Sequence, residues 1–251
     1  MENAARPFHL GPLPEVSRGK LPARTSVVDT KTRGAIPSRM PNTPAGLNAH
    51  AGLREWFGDI DIYLFDQLLK GRPAPGARLL DAGCGGGRNL VYFLRSGYEV
   101  YGVDQSEEAV AHVRGLASAL APSLPADNFR AEGVERMSFA DESFDFVISS
   151  AVLHFARDEG HWHDMLREMW RVLRAGGTFF ARLASVVGME GQAERVEGRR
   201  YRLPDGSVRF LVDEQMLAAA AEALGGRMIE PLKTVVVQNM RSMSTWCLRK
   251  A

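Results

Sequence analysis

Short apolar runs alternate with amphipathic runs between residues 77 and 224, and this alternation is the feature that most constrains the fold. The apolar runs have the length of strands and lie at 77–83, 98–103, 127–132, 144–150 and 177–184. Runs with helical spacing follow them at 88–96, 106–120, 161–174 and 213–224. Strands that alternate with helices predict parallel pairing with crossover helices. The pattern therefore indicates an α/β layered fold.

The end of the chain breaks this alternation. Residues 228–237 and 243–250 form two strand-like runs with no room for a crossover helix between them. Such neighbours pair antiparallel, which places one reversed strand in an otherwise parallel sheet. We therefore expect a Rossmann-like, doubly wound, mostly parallel sheet of seven strands with an antiparallel last strand.

The first 48 residues differ from the rest in composition. They hold seven of the 13 prolines and a single aromatic residue, Phe8, without helical or strand periodicity. Proline removes backbone donors, and so few apolar side chains do not offset the entropy of ordering the chain. The sequence predicts a disordered proline-rich tail over 1–48 and one folded domain over 49–251, which begins with an amphipathic helix over 53–69. An arm that folds over a ligand or a partner is the alternative for the tail.

Charge and cysteine content narrow the functional classes. The chain has 31 Lys and Arg against 30 Asp and Glu, so its formal net charge is +1 and nucleic acid is not an expected partner. No stretch approaches 18 uninterrupted apolar residues, and no signal peptide is apparent, so we expect no membrane association. Cys84 and Cys247 alone form no disulfide framework. These features favour a cytoplasmic enzyme or ligand-binding domain and leave its oligomeric state open.

A glycine-rich loop carries the strongest chemical signal. Asp81 ends an apolar strand, glycines follow at the alternate positions Gly83, Gly85 and Gly87, and a helix begins directly afterwards. Glycine lets a ligand approach the backbone, and the free N–H groups of a helix start attract anionic groups. The loop therefore predicts a ligand site at the end of the first strand.

Asp104 carries the second signal. It ends the next strand about 20 residues after the loop, where a carboxylate accepts hydrogen bonds from both hydroxyls of a ribose. The alternative is that Asp104 only begins the following helix, but Ser106 is the better capping residue. The two signals together predict an adenosine-type cofactor across the first two strands.

These motifs resemble those of the class I S-adenosylmethionine-dependent methyltransferases. An apolar pair, an acid and alternate glycines at 79–87 are similar to the family's first motif, and residues 139–147 are similar to its fourth strand. Residues 173–178 resemble its turn into strand five, with Ala175 where proline is usual. The resemblance covers about 53–251 and implies the strand order 3-2-1-4-5-7-6.

The resemblance implies S-adenosylmethionine as the cofactor and assigns its site. The backbone around Gly83, Gly85 and Gly87 faces the methionine portion, and Asp81 orients its ammonium. Asp104 holds the ribose. The remaining assignments are Gln105 beside the adenine, Val134 and Glu135 at the adenine edge, and Ser149 with Ser150 beneath the methyl sulfonium. Gly133 stands where an acid is common in the family.

A finer resemblance concerns the group within the family. Gly87-Arg88-Asn89 and residues 149–155 are similar to bacterial tellurite-resistance-type methyltransferases. The finer resemblance says little about the acceptor. We expect a small-molecule methyl acceptor and, as in methyl transfer generally, in-line displacement at the sulfonium carbon.

His154 is the candidate catalytic base near the expected methyl position, because an oxygen or nitrogen acceptor often must lose a proton. A histidine hydrogen-bonded within its loop is the alternative. Cys84 is expected to pack inside the glycine loop rather than react. His161 and His163 lack further ligands nearby, so no metal site is predicted.

The segment from Glu190 to Val208 is rich in arginine, with Arg199 and Arg200 at its centre. It leaves the sheet at the edge where ligands bind, so we expect either a solvated loop or a lid that recognises an anionic acceptor. Two other functions compete with methyl transfer. They are a nicotinamide-dependent oxidoreductase on a dinucleotide fold and a catalytically silent S-adenosylmethionine-binding regulatory module.

Overall fold

In the computed structural model, which describes residues 49–251, helices and strands alternate as the sequence predicts. The α-helices are α1 (Ala49–Phe57), α2 (Ile62–Leu69), α3 (Val91–Arg95), α4 (Glu107–Leu120), α5 (Glu159–Val172) and α6 (Glu214–Ala223). The first strands are β1 (Arg78–Ala82), β2 (Glu99–Asp104), β3 (Phe129–Ala131), β4 (Phe144–Ser150) and β5 (Leu173–Ala184). The later strands are β6 (Glu194–Glu197), β7 (Arg200–Arg202), β8 (Val208–Phe210), β9 (Gly226–Met228), β10 (Lys233–Val237) and β11 (Arg241–Lys250).

The main sheet has the strand order β10-β11-β5-β4-β1-β2-β3. Strands β1 to β5 pair in parallel, whereas β11 pairs antiparallel with both β5 and β10. These seven strands confirm the predicted mixed sheet with a reversed last strand. The short strand β9 also pairs with β11 and was not predicted as a separate strand.

Both faces of the sheet are covered, which explains why its strands read as nearly continuous apolar runs. In β1, the successive residues Leu79 and Leu80 are fully buried and belong to separate hydrophobic clusters. Trp162 of α5 lies in the cluster of Leu80, and Phe93 of α3 lies in that of Leu79. The helices on the two faces therefore hold β1 in the centre of the sheet, with Asp81 near its carboxyl end.

The predicted helix over 53–69 is interrupted. Helix α1 ends at Phe57, and α2 begins after Asp61, whose side chain accepts a hydrogen bond from the Tyr63 N–H at 2.9 Å. Asp61 is 2% exposed, because it also pairs with Arg182 of β5 at 2.7 Å. The apolar spacing continues across the break, so periodicity alone did not show this buried cap.

The arginine-rich segment after β5 folds into a second sheet. Strands β6, β7 and β8 form an antiparallel three-stranded sheet, and the turn between β7 and β8 contains Asp205 and Gly206. Leu203 and Leu211 pack with Ala184 in a small separate core. The segment therefore forms strands rather than an irregular loop, but it stays largely exposed to solvent: all four residues of β6 are exposed, and within 190–208 only Leu203 is buried.

Two further predictions concern the proline-rich tail and membrane association. The predicted tail over 1–48 lies outside the described residues. Within residues 49–251, no helix has both the length and the apolar character needed to cross a membrane.

Candidate active site

Two cavities meet at the edge of the sheet where the parallel strands end. The first, here called the loop cavity, has a volume of about 530 Å³ and is lined by residues that follow β1 to β4. The second, here called the arginine cavity, has a volume of about 340 Å³ and lies toward β5 and β11. Ala151, directly after β4, lines both. Its φ of 65° is uncommon for a residue with a side chain, and such strain concentrates at functional sites.

A larger cavity of about 710 Å³ lies at the opposite edge, where Gly71 to Ala77 lead into β1 and where Arg174 precedes the paired part of β5. In doubly wound sheets, ligands bind beyond the carboxyl ends of the strands. We therefore place the functional site in the two smaller cavities rather than in the largest one.

The three loop glycines serve different purposes. A Cβ atom at Gly83 would lie 2.4 Å from Val152, and one at Gly87 would lie 2.8 Å from Val113 of α4. These two glycines make room for neighbouring parts of the protein. Gly85, with a φ of 50°, has nothing within 4 Å of its missing Cβ. Among the described residues, the loop therefore has open space beside Gly85, although Gly85 lines neither cavity.

Asp104 joins the ends of β1 and β2. Its Oδ2 accepts a hydrogen bond from the Gly85 N–H at 2.9 Å, and its Oδ1 accepts one from the Ser106 N–H at 2.9 Å. Ser106 caps α4, as predicted, through a bond from the Ala109 N–H. A carboxylate has about four lone-pair sites, so Asp104 retains acceptor capacity toward the loop cavity that it lines.

Asp81 is buried without a hydrogen-bond partner. It is 1% exposed, and neither carboxylate oxygen is paired with another described residue. Burial raises the pKa of Asp81 to about 7, the charge of Asp104 raises it as well, and the charge of Arg88 opposes both. A buried, unpaired carboxylate is costly, and a cationic group of a ligand would relieve that cost.

Five of the predicted residues line the loop cavity: Gly83, Asp104, Gln105, Val134 and Glu135. Sequence reasoning assigned no site role to the other seven lining residues, which are Gly133, Ala151, Val152, Phe155, Arg157, His161 and Met165. The His161 Nδ1 accepts a hydrogen bond from the Arg157 N–H at 3.1 Å, so this imidazole is fixed at the rim. Arg157 precedes α5 and His161 lies in its first turn, and neither belongs to a binding motif.

Asp81, Gly85, Gly87 and Ser149 line neither cavity. Ser149 is fully buried in β4, and its hydroxyl is unpaired within the described residues. Ser150 instead accepts a hydrogen bond from Arg88 at 3.1 Å. The two serines therefore lie at the end of β4, as predicted, without a direct opening to either cavity.

His154 lines the arginine cavity and not the loop cavity. It lies in a short 3₁₀ helix, Leu153–Phe155, and is 8% exposed. Burial, followed by the positive charge of Arg209, lowers the pKa of His154 to about 4. Its Nδ1 is buried and unpaired among residues 49–251, so the alternative of a histidine hydrogen-bonded through that atom within its loop finds no support there. A neutral imidazole accepts a proton.

A buried ion pair links Asp61, directly before α2, to Arg182 of β5. The Asp61 carboxylate pairs with Arg182 at 2.7 Å and lies 3.8 Å from Arg88. The Asp61 N–H donates to Asn89 Oδ1 at 3.0 Å. Arg88 is thus tied to the side chain of Asp61 and Asn89 to its backbone N–H, although 28 positions separate Asn89 from Asp61 and no local pattern indicates the contact.

The other candidate residues, Cys84, Arg199 and Arg200, line neither of the two cavities. Cys84 is 4% exposed in the core, and burial raises its pKa well above the usual range, as expected for a packing residue. Arg199 pairs with Asp213 at 2.8 Å, and neither Arg199 nor Arg200 lines a cavity at this edge. No group of three or more His, Cys, Asp or Glu side chains in residues 49–251 is arranged to hold a metal ion.

The central part of the chain matches a known family. Residues 80–181 match the family model described as a methyltransferase domain. The chain is 35% identical over 111 residues to the ubiquinone biosynthesis O-methyltransferase of Rhizobium etli, an alignment that covers 43% of this chain and 42% of that protein. It is 32% identical over 148 residues to a probable S-adenosylmethionine-dependent methyltransferase of Mycolicibacterium smegmatis, covering 58% and 52%. The chain thus spans about half the length of these relatives, or less.

A solved structure shows the same fold. The 1,6-didemethyltoxoflavin-N1-methyltransferase of Burkholderia thailandensis, crystallised with its acceptor and S-adenosylhomocysteine, superposes with a TM-score of 0.59 and 22% identity. The match covers 80% of this chain and 83% of that one. At this identity the similarity concerns the fold, which confirms the Rossmann-like architecture.

Proposed function

We propose that this chain, whose residues 80–181 form a methyltransferase domain, transfers a methyl group from S-adenosylmethionine to a small-molecule acceptor. One observation carries the proposal. Asp81, buried and without a partner among the described residues, precedes a loop in which the Gly85 N–H donates to the cavity-lining Asp104, and the space beside Gly85 is empty of other described atoms. Two carboxylates around an open glycine suit a ligand with both an ammonium and a ribose.

The residues present fit this cofactor. Among residues 49–251 the buried Asp81 carboxylate has no hydrogen-bond partner, and the ammonium of the methionine portion would supply one. Asp104 has lone pairs left for ribose hydroxyls after its two backbone bonds. The loop cavity, at about 530 Å³, lies within the range of cofactor sites.

The remaining wall of the loop cavity suits an adenine. Gln105, Val134 and Glu135 lie beyond Asp104, and Val134 is 7% exposed. An apolar side chain with backbone amides beside it binds a flat heteroaromatic ring and its edge. His161, whose Nε2 lies 3.7 Å from Glu135, lines the same cavity.

When bound, S-adenosylmethionine supplies an electrophilic methyl group, which passes to a lone pair of the acceptor while the carbon–sulfur bond breaks and its electrons return to sulfur. The chain's main contribution is to hold the acceptor beside the methyl group. The two cavities adjoin at Ala151, which lines both, so ligands bound in them lie next to each other. His154 accepts the proton of an oxygen or nitrogen acceptor, since burial keeps its imidazole neutral.

Finer assignments rest on sequence alone. The resemblance to tellurite-resistance-type methyltransferases depends on Gly87-Arg88-Asn89 and residues 149–155, and it stays a prediction, as does the cytoplasmic location. A nicotinamide-dependent oxidoreductase is disfavoured by the methyltransferase-domain match and by the reversed β11. A silent S-adenosylmethionine-binding module would bind the cofactor without turnover.

Two measurements test the proposal. Calorimetry with S-adenosylmethionine, S-adenosylhomocysteine and NAD⁺ identifies the cofactor, and we expect binding of the first two only. Release of S-adenosylhomocysteine is then followed over a panel of carboxylate, phenol, amine, thiol and metalloid acceptors. Binding of NAD⁺ alone would reject the proposal. Tight S-adenosylmethionine binding without turnover on any acceptor would favour the silent module.

A further inference from the structure

The arginine cavity has a charge that the reaction itself does not require. Four arginines line it, namely Arg88, Arg182, Arg209 and Arg241, and Asp205 is the one acid in its lining. In residues 49–251, the Asp61 carboxylate offsets part of the charge of Arg182 and Arg88. The cavity therefore carries an excess of positive charge.

Arg209 and Arg241 contribute most of the uncompensated charge. Neither forms an ion pair within 4 Å with another described residue, although both lower the pKa of Asp205 through their charge. Arg209 lies 4.9 Å above the ring of Phe155, which holds its guanidinium in place. Like charges brought together in a cavity repel one another, and an anionic ligand removes that repulsion.

Apart from Ser207 and His154, the rest of the lining is apolar. Ala151, Ala184, Leu203, Val237 and Met243 supply aliphatic walls between the guanidinium groups. A volume of about 340 Å³ admits a molecule of one or two rings. A guanidinium presents a planar fork of donors that matches a carboxylate. Apolar walls with such forks suit a small carboxylate with an apolar body.

The position of the cavity links it to methyl transfer. It shares Ala151 with the loop cavity, and the neutral His154 lies in its lining. The same Phe155 that supports Arg209 also lines the loop cavity. A ligand held by Arg209 and Arg241 therefore lies next to both the proposed base and the cofactor.

We propose that the arginine cavity binds a small, apolar-bodied carboxylate as the methyl acceptor, with Arg209 and Arg241 as its anion-binding residues. The proposal rests on the proposed function for the acceptor role, but the anion site is a property of the cavity itself. Arg209 and Arg241, which are 32 positions apart in the chain, thus take the role that the sequence analysis gave to Arg199 and Arg200.

Benzoate and its neutral isostere benzamide provide the test, because they differ in charge and hardly in size. Their affinities are measured by calorimetry on the intact protein, alone and with saturating S-adenosylhomocysteine. We expect benzoate to bind at least about 10-fold more tightly than benzamide, and R209Q/R241Q to weaken benzoate about 10- to 100-fold without changing benzamide. R209K/R241K should restore part of the loss, since it returns the charge without the fork.

R202Q is the matched control. Arg202 belongs to the same small sheet, but its side chain is 54% exposed and lies outside the cavity lining. This variant should bind benzoate as the unaltered protein does. Equal binding of benzoate and benzamide, or equal benzoate binding by R202Q and R209Q/R241Q, would overturn the anion site.

A titration with S-adenosylmethionine separates the two proposals. R209Q/R241Q should bind the cofactor within about twofold of the unaltered protein, which also shows that the variant is folded. A protein that binds benzoate selectively but not S-adenosylmethionine would overturn the acceptor role together with the proposed function. A protein that binds S-adenosylmethionine but does not prefer benzoate would overturn the anion site alone.

Discussion

The loop cavity and the arginine cavity adjoin each other but are built by different means. The loop cavity is lined largely by residues at or shortly after the ends of the parallel strands β1 to β4. The arginine cavity collects side chains from β5, the β7–β8 turn, β8, the end of β10 and the start of β11, along with Arg88, Ala151 and His154. Its lining spans more than 150 positions of the chain.

The two cavities therefore differ in how closely their lining depends on the fold. Backbone amides and two carboxylates suit one cofactor, and the strand ends that carry them are fixed by the fold. Arg209 lies in the small second sheet and Arg241 at the exposed start of β11, so both side chains can vary without disturbing the core of the main sheet. On the two proposals above, we expect the loop cavity to determine the reaction type and the arginine cavity to determine the choice of acceptor.

The largest expected effect falls on the loop cavity. D104N removes the charge and one of the two acceptor oxygens that hold Gly85 and Ser106. We expect S-adenosylmethionine affinity to fall about 100-fold or more, because the ribose loses a charged acceptor and the loop loses one of its two hydrogen bonds to residue 104. Calorimetry measures this loss, and benzoate affinity should change little.

Glu99 provides the control, because it lies on the same strand at the opposite edge and pairs with Arg78 on the surface. E99Q should bind the cofactor normally. If D104N bound it normally as well, Asp104 would only support the loop, and the assignment of the loop cavity would fail.

A smaller effect is expected at the boundary of the two cavities. H154Q should lower kcat about 100-fold on an acceptor that must lose a proton, with cofactor affinity unchanged. Since the pKa of His154 is about 4 in the free protein, kcat/KM should lose activity only at low pH. A bound carboxylate offsets the charge of Arg209, so the acid limb of kcat should lie at higher pH than that of kcat/KM.

A merely structural role for His154 would leave the pH profile unchanged in H154Q. Identical acid limbs for kcat and kcat/KM would contradict the coupling between His154 and an anionic acceptor. A thiol acceptor provides a second comparison, because it needs less help in losing its proton and should be less sensitive to H154Q.

Asp81 allows function and stability to be compared at one residue. Its folded-state pKa of about 7 lies above the usual 3.8, so the folded protein keeps a proton that the unfolded chain has lost. Stability should therefore fall as pH rises between about 4 and 7. D81N should remove this decline and stabilise the ligand-free protein by about 1 to 2 kcal/mol at pH 8, while weakening S-adenosylmethionine about 10-fold.

Thermal unfolding from pH 4 to pH 8 measures the first effect, and calorimetry measures the second. At pH 4, D81N and the unaltered protein should have similar stability, which serves as an internal control. A D81N protein that is less stable at pH 8 would show that Asp81 already has a cationic or donor partner in the absence of ligand.

Local patterns predicted the sheet, the glycine loop and Asp104, because each depends on residues that are close in sequence. Periodicity located β1, β2 and α4 to within a residue or two. The buried pair between Asp61 and Arg182 was missed, since 121 positions separate its partners and neither lies in a motif. The arginine cavity was missed for the same reason.

The glycine loop shows a subtler limit. The alternate spacing of Gly83, Gly85 and Gly87 predicts a ligand approach at all three. In the structure, Val152 and Val113 occupy the space beside Gly83 and Gly87, and only Gly85 is open. Sequence spacing indicates where side chains are absent, but it does not say whether a ligand or the protein itself fills the space.

The smallest expected effect concerns the arginines that sequence alone singled out. Arg199 pairs with Asp213, whose carboxylate also caps α6 by accepting a bond from the Met216 N–H at 2.7 Å. R199Q should therefore cost stability, about 1 kcal/mol or less for a partly exposed pair, and change benzoate affinity by no more than about twofold. Thermal unfolding and calorimetry on R199Q and R209Q, side by side, measure the contrast. A tenfold loss of benzoate affinity in R199Q would mean that the small sheet rearranges over the acceptor, and the arginine cavity would then have to be redrawn to include β7.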